Sequence, residues 1–213
     1  SITIRSRGKS WLNCRRIGRN ASSRSSENTV GSSPWMHSTT SRSCIASNRL
    51  YVQDAVYDEF CRRLVERFEG LKVGNGLEEG VDVGPIISRK EVDKLSSIVE
   101  EAKEDGATVE TGGTQLYDKG YFFAPTVLTN VKPGARILER EIFGPIAPLI
   151  RFTDVESVIA QANDTPYGLA AYVFSADVGK AMRIAERLNA GIVGVNRGFV
   201  SDPAAPFGGM KES

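Results

Sequence analysis

Apolar residues recur at helical spacing in two long stretches. Val56, Tyr57, Phe60, Leu64, Val65 and Phe68 predict an amphipathic helix that Asp54 can cap. Val92, Leu95, Ile98, Val99 and Ala102 predict a second, with the capping box Ser88-Arg-Lys-Glu91 ahead of it and Gly106 closing it. Between and beyond them lie short β-prone runs at 49–53, 108–110, 122–129, 146–152, 170–174 and 192–196. The run at 146–152 is almost continuously apolar, as in a strand buried on both faces. Thr153-Asp-Val-Glu156 can cap a further helix, and 176–189 reads as another that ends at Gly191. Residues 71–85, rich in Gly and acids, read as a loop, and Gly112-Gly113 as a turn.

Strands alternating with helices imply βαβ crossovers, an α/β fold and a mostly parallel twisted sheet. Ligands in such sheets gather at the carboxyl ends of the strands, where Asn196 and the loop beyond it are expected.

The first forty-three residues depart from this pattern. They hold eight Lys/Arg, one acidic residue and twelve Ser, a net charge of +7, while the whole chain is +1. Neither helical nor strand periodicity is visible there. A basic nucleic-acid-binding arm, a transit peptide and a shifted reading frame or misjoined exon all fit an Arg/Ser-rich, acid-poor segment. We expect 1–43 to lie outside the ordered domain and 44–213 to form it.

Three cysteines (Cys14, Cys44, Cys61) leave an odd thiol, which argues for a reducing compartment, cytoplasmic or alternatively mitochondrial. The single histidine, His37, argues against a His-rich metal cage or a Ser-His-Asp site. No apolar run is long enough to span a membrane, so no membrane partner is expected.

Taken alone, Cys44 reads as a small buried hydrophobe, since reactivity needs an environment that sequence does not display. In Glu141-Ile-Phe-Gly-Pro145 a carboxylate and an aromatic stand two residues apart before Gly-Pro, which suits either a rigid turn facing a ligand or a plain loop into the next strand. The glycine pair of Pro206-Phe-Gly-Gly209 allows close backbone approach, or simply a turn. There is no G-x-G-x-x-G or phosphate-cradling loop.

These segments in this order resemble the catalytic half of the aldehyde dehydrogenase family. The resemblance runs from about Arg42 to Ser213 and also takes in Cys44-Ile-Ala-Ser-Asn-Arg49, Val83-Gly-Pro-Ile-Ile87, Pro125-Thr-Val-Leu128 and Asn163-Asp-Thr-Pro-Tyr-Gly-Leu169. Within the family, the run from Gly194 to Gly209 is most similar to succinate-semialdehyde dehydrogenases. The resemblance implies that Cys44 is the nucleophile and that its backbone N–H helps to hold the oxyanion. It implies that Glu141 grips the nicotinamide ribose of NAD or NADP, with Phe143 beside the nicotinamide. Phe207 would line the aldehyde tunnel, and Ser201 would hydrogen-bond the distal carboxylate of the substrate.

The expected activity is oxidation of succinate semialdehyde, or a close ω-carboxy aldehyde such as glutarate semialdehyde, through a cysteine thioester. Parts of the family pattern are not matched. Ser41 and Arg42 stand where Gln and Gly are expected, and Ser38 where a substrate-binding arginine is. The Glu-Leu-Gly-Gly segment with the general base, most of the dinucleotide-binding domain and the subunit-pairing strand of the family homo-oligomer are also expected to be missing. The competing expectations are a non-catalytic fragment that associates with full-length subunits, and a basic-tailed nucleic-acid binder. Nucleic acid is not an expected partner of the domain itself.

Overall fold

The computed structural model describes residues 2–5, 44 and 46–213, with side chains from Cys44 onward. Its centre is a seven-stranded sheet built from β1 (Ile2–Arg5), β2 (Arg49–Gln53), β3 (Thr108–Thr111), β6 (Thr126–Thr129), β7 (Ile146–Phe152), β8 (Ala170–Phe174) and β9 (Ile192–Val195). The order is β3-β6-β7-β2-β1-β8-β9. Every pairing is parallel except β3 with β6. A separate hairpin joins β4 (Gln115–Leu116) to β5 (Phe122–Phe123). The expected mostly parallel α/β architecture is therefore the one observed.

Helices cover both faces. On one, α1 (Asp54–Glu69) packs Tyr57, Leu64 and Phe68 on Leu50 and Val52 of β2, Val127 of β6, and Ala147 and Leu149 of β7. On the other lie α2 (Arg89–Glu104), α3 (Val155–Asn163) and α4 (Val178–Ala185), against Tyr51, Ile146, Ile150, Ala171 and Val173. Alternate residues of β2, β7 and β8 thus enter different cores, the period-2 consequence of a strand buried on both sides. Burying a Leu or Phe this fully contributes about 1.5–3 kcal/mol each.

Most helix starts follow their sequence signals. Ser88 accepts from the Glu91 N–H at 3.3 Å, Asp154 from Ser157 and Asp177 from Lys180. Gly106, at φ +95°, follows the end of α2, and Ala107 N–H reaches back to the Ala102 carbonyl, satisfying a terminal acceptor. Asp54 is not a cap. β2 runs directly into α1, so the capping position falls on Gln53, which makes no side-chain cap bond. Asp54 instead sits in the first turn and binds Arg151 at 2.6 Å.

Three further expectations change. The run 122–129 is two strands, because Pro125 has no N–H to continue a ladder. The helix expected at 176–189 is regular only over Val178–Ala185. Beyond it Arg187 and Leu188 donate to residues three back, tightening the last turn. Finally, Ile2–Arg5, expected outside the ordered domain, form the strand between β2 and β8, in register with Arg49–Val52 and Ala171–Phe174. Two neighbouring strands supply both its hydrogen-bond edges, which is why so short a run is ordered. The rest of the expectation for 1–43 lies outside the described residues.

Candidate active site

An open depression of about 50 Å³ lies along the amino ends of three adjacent stretches of chain. Cys44, Ala46 and Asn48 precede β2; Glu141, Ile142 and Phe143 precede β7; Tyr167 and Leu169 precede β8; Ser213 completes the wall. Nearly a hundred residues separate Cys44 from Glu141, and the parallel sheet brings them together. The sequence leads us to expect a site at the carboxyl ends of strands, whereas this depression lies at the amino ends of β2, β7 and β8. Their carboxyl ends run into α1, α3 and α4 through connections of no more than a few residues, which leaves the depression at their amino ends.

Cys44 is exposed and lies outside any disulfide. Glu141 is half-buried and Phe143 is 36% exposed, so both face the opening. Their turn is fixed from behind. Ile142 is buried in the larger core, Gly144 sits against Leu95 of α2, and the Pro145 carbonyl accepts from Thr126 N–H at 2.7 Å. The Tyr172 phenol of β8 is fully buried and feels Cys44 electrostatically. Burial, with a smaller contribution from Cys44, pushes its pKa up to about 12, so it stays neutral.

The third wall is the loop 163–169, which is heavily tied. Asn163 donates to the Arg187 carbonyl and accepts from Asn189 N–H, both at 2.8 Å. Lys211 Nζ donates to the carbonyls of Asn163 and Thr165 at 2.6 and 2.8 Å. The Gly168 carbonyl accepts from Gly191 and Met210, and its N–H donates to Ser213 Oγ. A methyl group at Gly168 would lie 2.8 Å from the Asn189 carbonyl, so glycine alone permits this crossing.

The residues singled out from sequence therefore divide into two groups. Cys44, Glu141 and Phe143 share the depression. Ser201 and Phe207 do not line it; both are exposed on the segment 196–213, which leaves the carboxyl end of β9 and returns to Gly168. Asn48 and Tyr167 line the wall but were not singled out. Both lie inside runs quoted for the resemblance, so the signal was present at the level of the motif and not of the residue.

The chain is an α/β domain whose sheet is covered on both faces, with a cysteine, a carboxylate and an aromatic ring at one open depression. The sequence profile of the aldehyde dehydrogenase family matches residues 34–213. The chain belongs to the aldehyde dehydrogenase family.

Among its relatives is the succinate-semialdehyde dehydrogenase [NADP(+)] GabD of Escherichia coli strain K12, 47% identical over 172 residues, which are 81% of this chain and 36% of GabD. The glutarate-semialdehyde dehydrogenase of Pseudomonas putida strain KT2440 is 46% identical over 172 residues, 81% of this chain and 35% of that protein. The crystal structure of an E. coli NADP-dependent enzyme superposes with a TM-score of 0.81 at 45% identity, over 84% of this chain and 38% of the other. The chain thus spans about a third of the length of the curated relatives it matches.

Proposed function

We propose that this chain carries the thiol half of an NAD(P)-dependent aldehyde oxidation, with Cys44 as nucleophile. The observation that carries the reading is the convergence of Cys44, Glu141 and Phe143 on one depression. An exposed thiol at an open cleft can meet an aldehyde; a sulfur buried in the core could not.

The residues present suit a nicotinamide nucleotide. Glu141 offers carboxylate oxygens to ribose hydroxyls, and Phe143 a partly exposed flat apolar face beside them. Bound there, NAD or NADP supplies the acceptor for the hydride that the oxidation releases. The chain's own part is the sulfur chemistry. The Cys44 thiolate adds to the aldehyde carbon, forming a C–S bond and leaving an oxyanion that the Cys44 N–H would receive. After oxidation the carbon is held as a thioester on Cys44, and water releases it as the acid.

The preferred substrate is an aldehyde with a distal carboxylate, succinate semialdehyde before glutarate semialdehyde. Two relatives named for such substrates, at 47% and 46% identity, support this choice. Ser201 would donate to that carboxylate and Phe207 would flank the approach, both from the returning segment 196–213. The family's homo-oligomeric state and a cytoplasmic location complete the proposal. No described helix is long and apolar enough to cross a membrane.

The test is a single-turnover assay with succinate semialdehyde and either nucleotide, following absorbance of the reduced form. A stoichiometric burst that Cys44→Ala abolishes is the expected result. A burst of equal size in Cys44→Ala would remove Cys44 from the mechanism, and no reduction at any nucleotide concentration would remove the activity from this chain.

A further inference from the structure

Arg49 has no part in the reading above, yet it is the residue least explained by stability. It is 3% exposed, and its Nε is the buried side-chain polar atom left without a hydrogen-bond partner among the described residues. Asp164 acts on it through space, without a hydrogen bond. Burial pulls its pKa below the ordinary value, with Tyr51, Tyr167 and Asp164 opposing. Burying a guanidinium so incompletely satisfied is unfavourable, and an apolar side chain of similar length would avoid that penalty.

Among the described residues the arginine side chain makes one hydrogen bond, from Nη2 to Thr165 Oγ1 at 3.0 Å. The same oxygen accepts from the Tyr167 N–H at 3.2 Å. Tyr167 lines the depression with Cys44, and Arg49 opens β2 five residues after Cys44. One end of this relay is held by the sheet, since Arg49 pairs with Ile2 of β1 and the next residue, Leu50, with Leu149 of β7. The other end is a loop whose opposite side Lys211 holds by the carbonyls of Asn163 and Thr165. The Thr165 hydroxyl is thus the point at which the strand that follows the cysteine fixes the loop facing it.

We propose that Arg49 is a positioning residue: acting through Thr165, it fixes Tyr167 as a wall of the Cys44 cleft and so sets the direction from which a substrate reaches the sulfur. The geometry stands by itself; the identity of the substrate as an aldehyde rests on the function proposed above. A methionine at 49 keeps length and bulk but not the hydrogen bond, and valine at 165 keeps shape but not the acceptor. Serine at 165 keeps the acceptor.

The test is the rate at which N-phenylmaleimide alkylates Cys44 in the full chain, resolved from other thiols by peptide mass, with Cys61 on α1 as internal reference. Arg49→Met and Thr165→Val are expected to raise the Cys44 rate about fivefold, the factor corresponding to an ordinary hydrogen bond. Thr165→Ser is expected to keep the wild-type rate. The Cys61 rate should not change in either variant; Tm should fall in Thr165→Val, which strips the buried guanidinium of its acceptor, and should not fall in Arg49→Met. A wild-type Cys44 rate in Thr165→Val would overturn the proposal. So would a parallel rise at Cys44 and Cys61, which reports general loosening. If Arg49→Met does not fold, Thr165→Val and Thr165→Ser decide the matter alone. Alkylation needs neither nucleotide nor turnover, so a chain that shows the shift but no reduction burst keeps this inference and loses the proposed activity.

Discussion

The carboxamide of Asn196 bridges both backbone groups of Ser175: Ser175 N–H donates to Oδ1, and Nδ2 donates to the Ser175 carbonyl, each at 2.9 Å. Asn196 adopts φ +54°, in the left-handed region that asparagine tolerates better than most residues. The two residues follow β9 and β8, so the bridge sets where the segment carrying Ser201 and Phe207 leaves the sheet. Asn196→Ala removes both bonds to the Ser175 backbone, for an expected loss of about 1–2 kcal/mol in urea unfolding. Asn196→Asp keeps the acceptor but turns a carboxylate oxygen toward the Ser175 carbonyl, so it should lose at least as much. Wild-type stability in both variants would mean that the bridge does not hold the two strand ends together.

The turn bearing Glu141 and Phe143 depends on the absence of a side chain at Gly144. A methyl group there would lie 2.6 Å from both terminal carbons of Leu95, which is 1% exposed on α2 and has no open space to swing into. Gly144→Ala should cost about 1–3 kcal/mol by overpacking. Leu95→Ala should cost about 2–5 kcal/mol by leaving a cavity. In the double variant the new methyl group occupies part of that cavity, so the combined loss should fall short of the sum by about 1 kcal/mol or more. Additive losses in a denaturant double-mutant cycle would show that the turn does not rest on α2.

The elements most legible in the sequence were those whose local pattern and tertiary role agree. α2 has a capping serine, an apolar stripe and a closing glycine, and all three act in the structure. β7 reads as a buried strand because both its faces carry apolar residues. β1 was illegible for the opposite reason. Four residues carry too little pattern to stand out from a basic, serine-rich stretch, and only pairing with β2 and β8 makes them a strand. The position of the depression was not foreseen for a topological reason. Periodicity reveals parallel strands, but not which of their ends the connecting segments leave open. Tyr167 and Arg49 escaped notice because what matters about them is a shared partner, Thr165, and a contact across more than a hundred residues leaves no local mark.

Alkaline pH should weaken the fold through groups that it keeps neutral. Burial raises the Cys61 thiol to about 11, and it also raises the Tyr57 phenol; Tyr172 is raised to about 12. In the unfolded chain each loses its proton at its lower, ordinary value. Between that value and the raised one the native state therefore binds more protons, and stability falls as pH rises. Below the ordinary values the contribution is fully present. Tm should be level from neutral pH to about 8 and decline above about 9, where the unfolded thiol begins to ionise. Cys61→Ala should make the first part of that decline shallower, before the tyrosines contribute. An unchanged slope in a pH series of thermal melts would exclude Cys61 as its source.

The division of the proposed site into a cleft and a returning segment makes a kinetic prediction. Glu141 and Phe143 share the depression with Cys44, whereas Ser201 and Phe207 lie on the exposed segment beyond β9. If Ser201 serves only the distal carboxylate, its removal should discriminate between substrates with and without one. Succinate semialdehyde and butanal have the same carbon count and differ at that end. Ser201→Ala should lower kcat/KM for succinate semialdehyde by about tenfold or more, the worth of a hydrogen bond to a charged group, and leave butanal unchanged. Glu141→Gln should instead raise KM for the nucleotide with either aldehyde, because the ribose contact it weakens is common to both reactions. Equal losses for both aldehydes in Ser201→Ala would mean that the serine holds the segment in place and does not touch the substrate. Specificity for the carboxylate would then have to come from another part of the cleft.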